Sequence, residues 1–295
     1  MKLSIFSTTS LAISTSASWT KNLNYRSPSE HHPGLGISLH KVNKRSTLSK
    51  FDPSQLNFTH GVASGDPYAD SVILWTRLAP QSADTDSNHT ANGTIPLYTH
   101  GANLTVSTAP VCADYWVSET EDLKNPVSKG RAYTSSDIDY TIKVEASGLA
   151  PFTRYYYGFG VCDSDKTSSV GRTKTAPATD DNVSNVGLAV YSCANYPFGF
   201  FNAYGNPARK DSVDYVIHLG DYIYEYAGDG DYGYGQSIDR VPKPESIIYT
   251  LKDYRERHAT YRSDLDLQFS HGNFPWIPVW DDHEVGLLFP GSYPE

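Results

Sequence analysis

Short alternating runs of apolar and polar residues fill positions 58–175: SVILWTRL, ADYWVSET, RAYTSSDIDYTIKVEA and RYYYGFGV, separated by Gly, Pro, Asn and Asp. A period of two with turn residues at short intervals predicts an antiparallel β-sandwich. After Val186 the period changes. VGLAVYSC is a nearly continuous apolar run that ends in a polar loop, FFNAYGNPARK reads as a short helix, and DYVIHLGD is a second buried strand. Ile248, Leu251, Tyr254, His258 and Tyr261 recur at helical spacing within residues 244–271, and WIPVWDDHE is a third apolar strand with charge at its C-terminal end. Strand, helix, strand, helix, strand predicts a parallel α/β sheet.

The 295 residues are length for about two domains, and the patterns divide them the same way. Residues 1–17 read as a possible signal peptide, 18–56 as an extended lead-in, 57–176 as an all-β sandwich, 177–185 as a linker and 186–295 as the α/β part. The expected fold class is multidomain. Within the sandwich, residues 149–157 (LAPFTRYYY) have the look of a fibronectin type III or immunoglobulin-like corner, in which a Tyr hydroxyl bonds back to upstream backbone. Twenty-four basic against 33 acidic side chains leave a formal charge of -9. That balance excludes a general phosphate-backbone binder, so no specific nucleic-acid partner is expected. A small anionic substrate stays compatible, because one metal site overcomes a modest negative field.

Lys2 followed by a moderately apolar stretch to residue 17 resembles a secretory signal, although its Ser and Thr content also fits an unstructured start. No later segment has the apolar length of a membrane span. Glycosylation acceptors at Asn57, Asn88, Asn92, Asn103 and Asn182 point the same way as the signal. The chain is expected to be secreted or held at the cell surface. Cys112 and Cys162 both lie in the strand-rich half and are the natural disulfide pair. Cys193 is left over, either as a buried thiol at a strand end or as a ligand.

Each apolar strand of the second half ends in chemistry: Cys193 and Asn195, then Asp221 and Tyr224, then Asp281, Asp282 and His283. In parallel sheets the functional groups gather at the carboxyl ends of the strands. A lone Asp there is usually a turn residue or helix cap. Successive strands delivering thiol, phenol, carboxylate and imidazole to one edge predict a metal site, because a cation needs several convergent deprotonatable groups.

SCANY (192–196), HLGDYIYE (218–225) and WDDHE (280–284) follow one another behind a sandwich that carries HGVASGDP (60–67) and SVILWTRL (71–78). Together they resemble the successive motifs of the PhoD-type alkaline phosphatases, in the calcineurin-like metallophosphatase superfamily. The resemblance covers residues 58–285. It implies a metallophosphatase fold for the α/β part, hydrolysis of phosphate monoesters or diesters, and ferric iron (Fe3+) with calcium (Ca2+) as cofactors. On that resemblance Cys193, Asp221 and Tyr224 form the iron set, Asp221 bridges to the second metal, and Asp282 holds that metal. His283 faces the phosphate, to stabilise the transition state or protonate the leaving group. Asn195 serves as ligand, phosphate contact or turn former. The donors suit the metal, since a hard ferric ion favours phenolate and carboxylate oxygen. Asp281 and Glu284 are expected to orient the site, and His218 to be a satisfied core histidine.

After Glu284 the chain departs from the family: it reads VGLLFPGSYPE and stops at Glu295, where the family continues with polar residues and further ligand-bearing strands. This predicts a partial metallophosphatase domain with an open strand edge and an uncovered apolar face. Two other readings stay open. One is a catalytically dead chain whose glycosylated sandwich is an interaction module. The other is a purple acid phosphatase, which shares the Gly-Asp-x-x-Tyr motif but which Cys193 disfavours.

Overall fold

A computed structural model describes residues 22–24, 51–80, 110–228 and 230–284. The alternating runs form β1 (Leu56–Gly65), β2 (Ser71–Pro80), β3 (Val111–Ser118), β4 (Ser128–Thr134), β5 (Thr141–Ser147), β6 (Arg154–Val161) and β7 (Gly171–Lys174). Strands β4-β3-β6-β7 make one antiparallel sheet, and β5-β2-β1 pair antiparallel in a second. Alternate residues of both sheets, among them Val72, Leu74, Val117, Ile142, Tyr157 and Phe159, meet in one core. The Tyr155 hydroxyl accepts from the Ala150 N–H at 2.8 Å, which is the corner expected in residues 149–157. Cys112 and Cys162 are joined as a disulfide.

Two features depart from the sequence pattern. The run RAYTSSDIDYTIKVEA is two strands, not one. It turns through Ser136–Ile138 and the left-handed residues Asp139 and Tyr140, and the buried guanidinium of Arg77 holds that turn by pairing with Asp139 at 3.0 Å. Within the lead-in, Asn22 is fully buried and donates to the carbonyls of Tyr133 and Thr141 at 3.0 Å each, while the Leu23 N–H donates to Lys143 O. Residues 22–24 therefore lie along β5.

The second half supplies β8 (Leu188–Tyr191), β9 (Tyr215–His218) and β10 (Pro275–Pro278), mutually parallel as expected. They do not form a sheet of their own. The order is β5-β2-β1-β10-β9-β8, with β1 joined to β10 in parallel through Ser64↔Pro275 and Gly65↔Trp276. Gly65 makes that junction possible, because a Cβ there would sit 2.6 Å from the Trp276 carbonyl oxygen.

Helix α1 (Asn202–Lys210) contains Pro207, which cannot donate to the Ala203 carbonyl; the Tyr191 hydroxyl does so at 2.9 Å. The helical spacing of residues 244–271 resolves into α2 (Leu251–Arg262) and α3 (Leu265–Asn273). A Thr250–Asp253 capping box opens α2, and Asp264 opens α3 by accepting from the N–H groups of Asp266 and Leu267. Tyr204 and Ala208 of α1 and Leu267 of α3 pack with Ala189, Val216 and Trp276 on one face of the sheet. On the other face Leu188, Val190, Leu219, Ile277 and Val279 are exposed, and β8 is the outer strand.

His218 is wholly buried, with Nε2 3.0 Å from the Tyr204 hydroxyl and Nδ1 lacking a partner among the described residues. It is thus a half-satisfied core histidine. Burial, opposed by the charges of Glu284 and Asp221, lowers its pKa from 6.5 to about 4. The unfolded chain takes up that proton at the higher pH, so the fold loses stability as pH falls from 6.5 towards 4. The loss reaches at most about 3 kcal/mol. His218→Gln should flatten the acid limb of the melting temperature over this window; an acid limb as steep as wild type would refute the assignment.

Candidate metal centre

The loops leaving β8 and β9 run together beyond their strands. The Cys193 N–H donates to Gly220 O at 3.1 Å and the Ala194 N–H to Asp221 O at 2.8 Å. Cys193 and Asp221 both take left-handed backbone, with φ of 58° and 54°. Asp tolerates this region better than Cys, and each such residue costs about 1 kcal/mol or more. Between these loops and the third, Gly220 has φ 109°, and a Cβ on it would sit 2.4 Å from Asp281 Cβ. Only glycine lets the turn at 281–284 close over the loop. Glu284 fixes that turn, accepting from the N–H groups of Tyr222 and, at 2.6 Å, Asp281.

This backbone makes the Asp221 carboxylate a hub. Its Oδ2 accepts from the Tyr224 hydroxyl at 3.0 Å and the Cys193 thiol at 3.5 Å, and His283 Nε2 lies 4.0 Å away. Its Oδ1 is buried with no partner among the described residues. Asp221, Asp282 and His283 each bring a ligand atom within 4.8 Å of the other two. An orphaned carboxylate oxygen beside a second carboxylate, a thiol and a phenol fits a cation by donor chemistry and by its unmet demand. Asn195 Oδ1 is also buried with no partner among the described residues, and Asn195 lines a narrow cleft with Tyr224, Tyr226 and Arg257.

His283 lies against the Tyr224 ring, centroids 4.3 Å apart, with Nδ1 2.8 Å from Oε2 of the buried Glu225. Burial pulls the His283 pKa down. The Glu225 hydrogen bond and the charges of Glu225, Asp221 and Asp282 more than offset this, and the pKa stands above its ordinary value. Tyr224 is shifted for related reasons: burial, then its contacts with Cys193 and Asp221, hold the hydroxyl well above the usual phenol range. Without a cation it is a neutral donor to Asp221.

The structure therefore brings Cys193, Asn195, Asp221, Tyr224, Asp282 and His283 to one rim. Cys193 is exposed there, which removes the buried-thiol reading. Asn57 is half-buried on β1 and Asn182 is exposed, while Asn88, Asn92, Asn103 and residues 1–17 lie outside the described residues. Sequence reasoning gave Glu225 no role. Its signal was a carboxylate between Tyr224 and Tyr226, in a stretch whose other side chains are apolar or aromatic.

A mixed sheet with a β-rich first half and convergent cation-type donors at its parallel strand ends defines the class. The family description "PhoD-like phosphatase, N-terminal domain" matches residues 43–177, and "PhoD-like phosphatase" matches residues 188–286. The chain belongs to the PhoD-like phosphatase family. It is 41% identical over 259 residues to alkaline phosphatase D of Bacillus subtilis (strain 168), which covers 88% of this chain and 40% of that protein. A solved structure of PhoD is 38% identical and superposes with a TM-score of 0.65, over 84% of this chain and 43% of its own. The chain thus spans less than half the length of these relatives.

Glu225→Gln should keep a hydrogen bond to His283 while removing the charge that raises its pKa. An NMR pH titration of the metal-free chain should then show the His283 pKa falling below that of wild type, and an unmoved value would refute the role given to Glu225.

Proposed function

We propose that the chain carries the metal site of a phosphoric ester hydrolase of the alkaline phosphatase type, acting on phosphate monoesters or diesters. The observation that carries this reading is Asp221, a buried carboxylate with one orphaned oxygen amid thiol, phenol, carboxylate and imidazole. Family membership and 41% identity to an alkaline phosphatase support it. In this reading Cys193, Asp221 and Tyr224 hold ferric iron, and Asp221 and Asp282 hold calcium. When bound, such a pair supplies Lewis acidity towards the phosphoryl group and a more acidic water.

The chain's own groups then divide the work. Glu225 fixes the ring orientation of His283 through Nδ1 and leaves Nε2 on the Asp221 side. The raised pKa favours the protonated imidazole, a donor to a phosphate oxygen or to the leaving group. Asn195, on the same rim, contacts the phosphate. An immunoglobulin-like sandwich at 57–176, a linker at 177–185 and a partial metallophosphatase domain at 186–295 are the division this reading adopts. Secretion fits the Cys112–Cys162 disulfide, since such bonds persist in oxidising compartments, and Asn182 is open to a glycan. A second reading, a catalytically silent chain whose glycosylated sandwich is an interaction module, draws on that half's own buried core and its Cys112–Cys162 disulfide.

With iron and calcium supplied, the chain should release p-nitrophenol from p-nitrophenyl phosphate at alkaline pH, and Asp221→Ala should return the rate to blank. Stoichiometric metal by elemental analysis with no turnover above blank would favour the silent reading. Ferric binding must displace the Tyr224 proton, so its affinity, followed by the visible phenolate-to-iron band, should rise with pH. A pH-independent affinity, or a band that survives Tyr224→Phe, would remove Tyr224 from the iron set.

A further inference from the structure

We infer that Arg257 is a positioning residue for this centre, a guanidinium template that aims Tyr224 and Glu225 together. The inference rests on the ligand reading of Tyr224 given above. Arg257 sits in mid-α2 and is 1% exposed. Nη1 donates to the carbonyls of Tyr224 and, at 3.0 Å, Tyr226; Nη2 donates to Pro244 O at 2.8 Å and Ser246 O at 3.2 Å; Nε donates to Lys243 O at 3.2 Å. The fork thus spends each of its N–H donors on the backbone of two irregular loops.

The carbonyls on Nη1 belong to the residues on either side of Glu225. Fixing both peptide planes orients three side chains at once. The Tyr224 hydroxyl meets Asp221, the Glu225 carboxylate meets His283, and the Tyr226 ring lies edge-on to His283 at 5.3 Å. The second loop is bound to the first directly, since the Ile248 N–H donates to Glu225 O at 3.1 Å and the Gly228 N–H to Glu245 O at 2.7 Å. Thr260, one turn further along α2, accepts from the Lys243 N–H at 3.0 Å. Neither loop pairs with a strand among the described residues, so its buried carbonyls need donors from elsewhere. A lysine brings charge but not a planar fork, and an apolar residue brings neither.

The test uses the full chain with Arg257→Lys, Arg257→Met and Tyr224→Phe. In the metal-free protein, hydrogen exchange should speed up together in peptides 222–228 and 243–248 of both Arg257 variants, and stay as in wild type over α1. A ferric titration should show affinity reduced about tenfold or more, with the phenolate-to-iron band weakened towards that of Tyr224→Phe. Adding either Arg257 substitution to Tyr224→Phe should cost little further affinity, because Arg257 acts through that ligand. Unchanged exchange in a folded variant would overturn the template. Faster exchange with wild-type iron affinity and band, in either variant, would reduce Arg257 to loop packing and overturn the positioning role. A wild-type chain that takes up no iron would overturn the ligand reading and the inference with it. Iron uptake by wild type that neither variant changes would overturn the inference alone.

Discussion

A carboxylate buried with one oxygen unpaired is the constraint around which the rim is built. Removing Asp221 Oδ1 from water without a partner costs several times what an ordinary surface carboxylate does. Among the described residues nothing relieves this. The Tyr224 and Cys193 protons both go to Oδ2, and Asp282 adds like charge. Two left-handed residues, Cys193 and Asp221, add backbone strain at the same point. Strain and an unmet acceptor persist together only where surrounding structure over-determines them. Here that structure is the pair of inter-loop hydrogen bonds from Cys193 and Ala194, the close approach at Gly220 and the Glu284 bonds across the third loop.

The β-rich half contributes to this rigidity and is not an appendage. The β1–β10 junction makes the strand that delivers residues 279–284 continuous with the antiparallel sheet. Ion pairs close the other side, from Arg172 to Asp211 and from Lys174 to Asp214, each at 2.7 Å. The first ties β7 to the residue that ends α1, and the second ties it to the residue before β9. Three of these four side chains are mostly shielded from water, so they are screened less by salt than exposed pairs are. Displacing the sandwich would therefore move two of the three strands that carry the rim.

What the sequence disclosed follows from which interactions are local. Alternation revealed the strands, apolar runs revealed β8 to β10, and the order of Cys193, Asp221, Tyr224, Asp282 and His283 revealed the rim, because each signal lies within a few residues. The shared sheet was not legible. It depends on Gly65 meeting Trp276, a pairing across most of the chain that no local pattern reports. The break between α2 and α3 was also hidden, since helical spacing runs on through it; Asp264, as cap, reads like any surface acid. Arg257 stands in the charged stretch LKDYRERHATYR, where the default reading is a solvated face. Only the structure shows that its helix turns this residue inward.

Arg257 is one case of a wider solution. The Arg240 guanidinium donates to Tyr196 O at 3.0 Å, pairs with Asp264 at 2.8 Å and lies 3.9 Å over the Tyr196 ring. Arg262 donates to His60 O at 2.8 Å. The loops at 196 and at 224–226 are thus each held by a buried guanidinium and adjoin rim donors, while Arg262 serves the irregular stretch of β1 where its register with β2 shifts between Phe58 and Val62. A guanidinium remains charged and forked whatever the metal content, so its hold on the loops does not wait for a cation. The donors are consequently set in place by the fold itself. A cation bound there would have little conformational entropy to overcome, and its free energy of coordination would go into relieving the orphaned oxygen instead of ordering the loops.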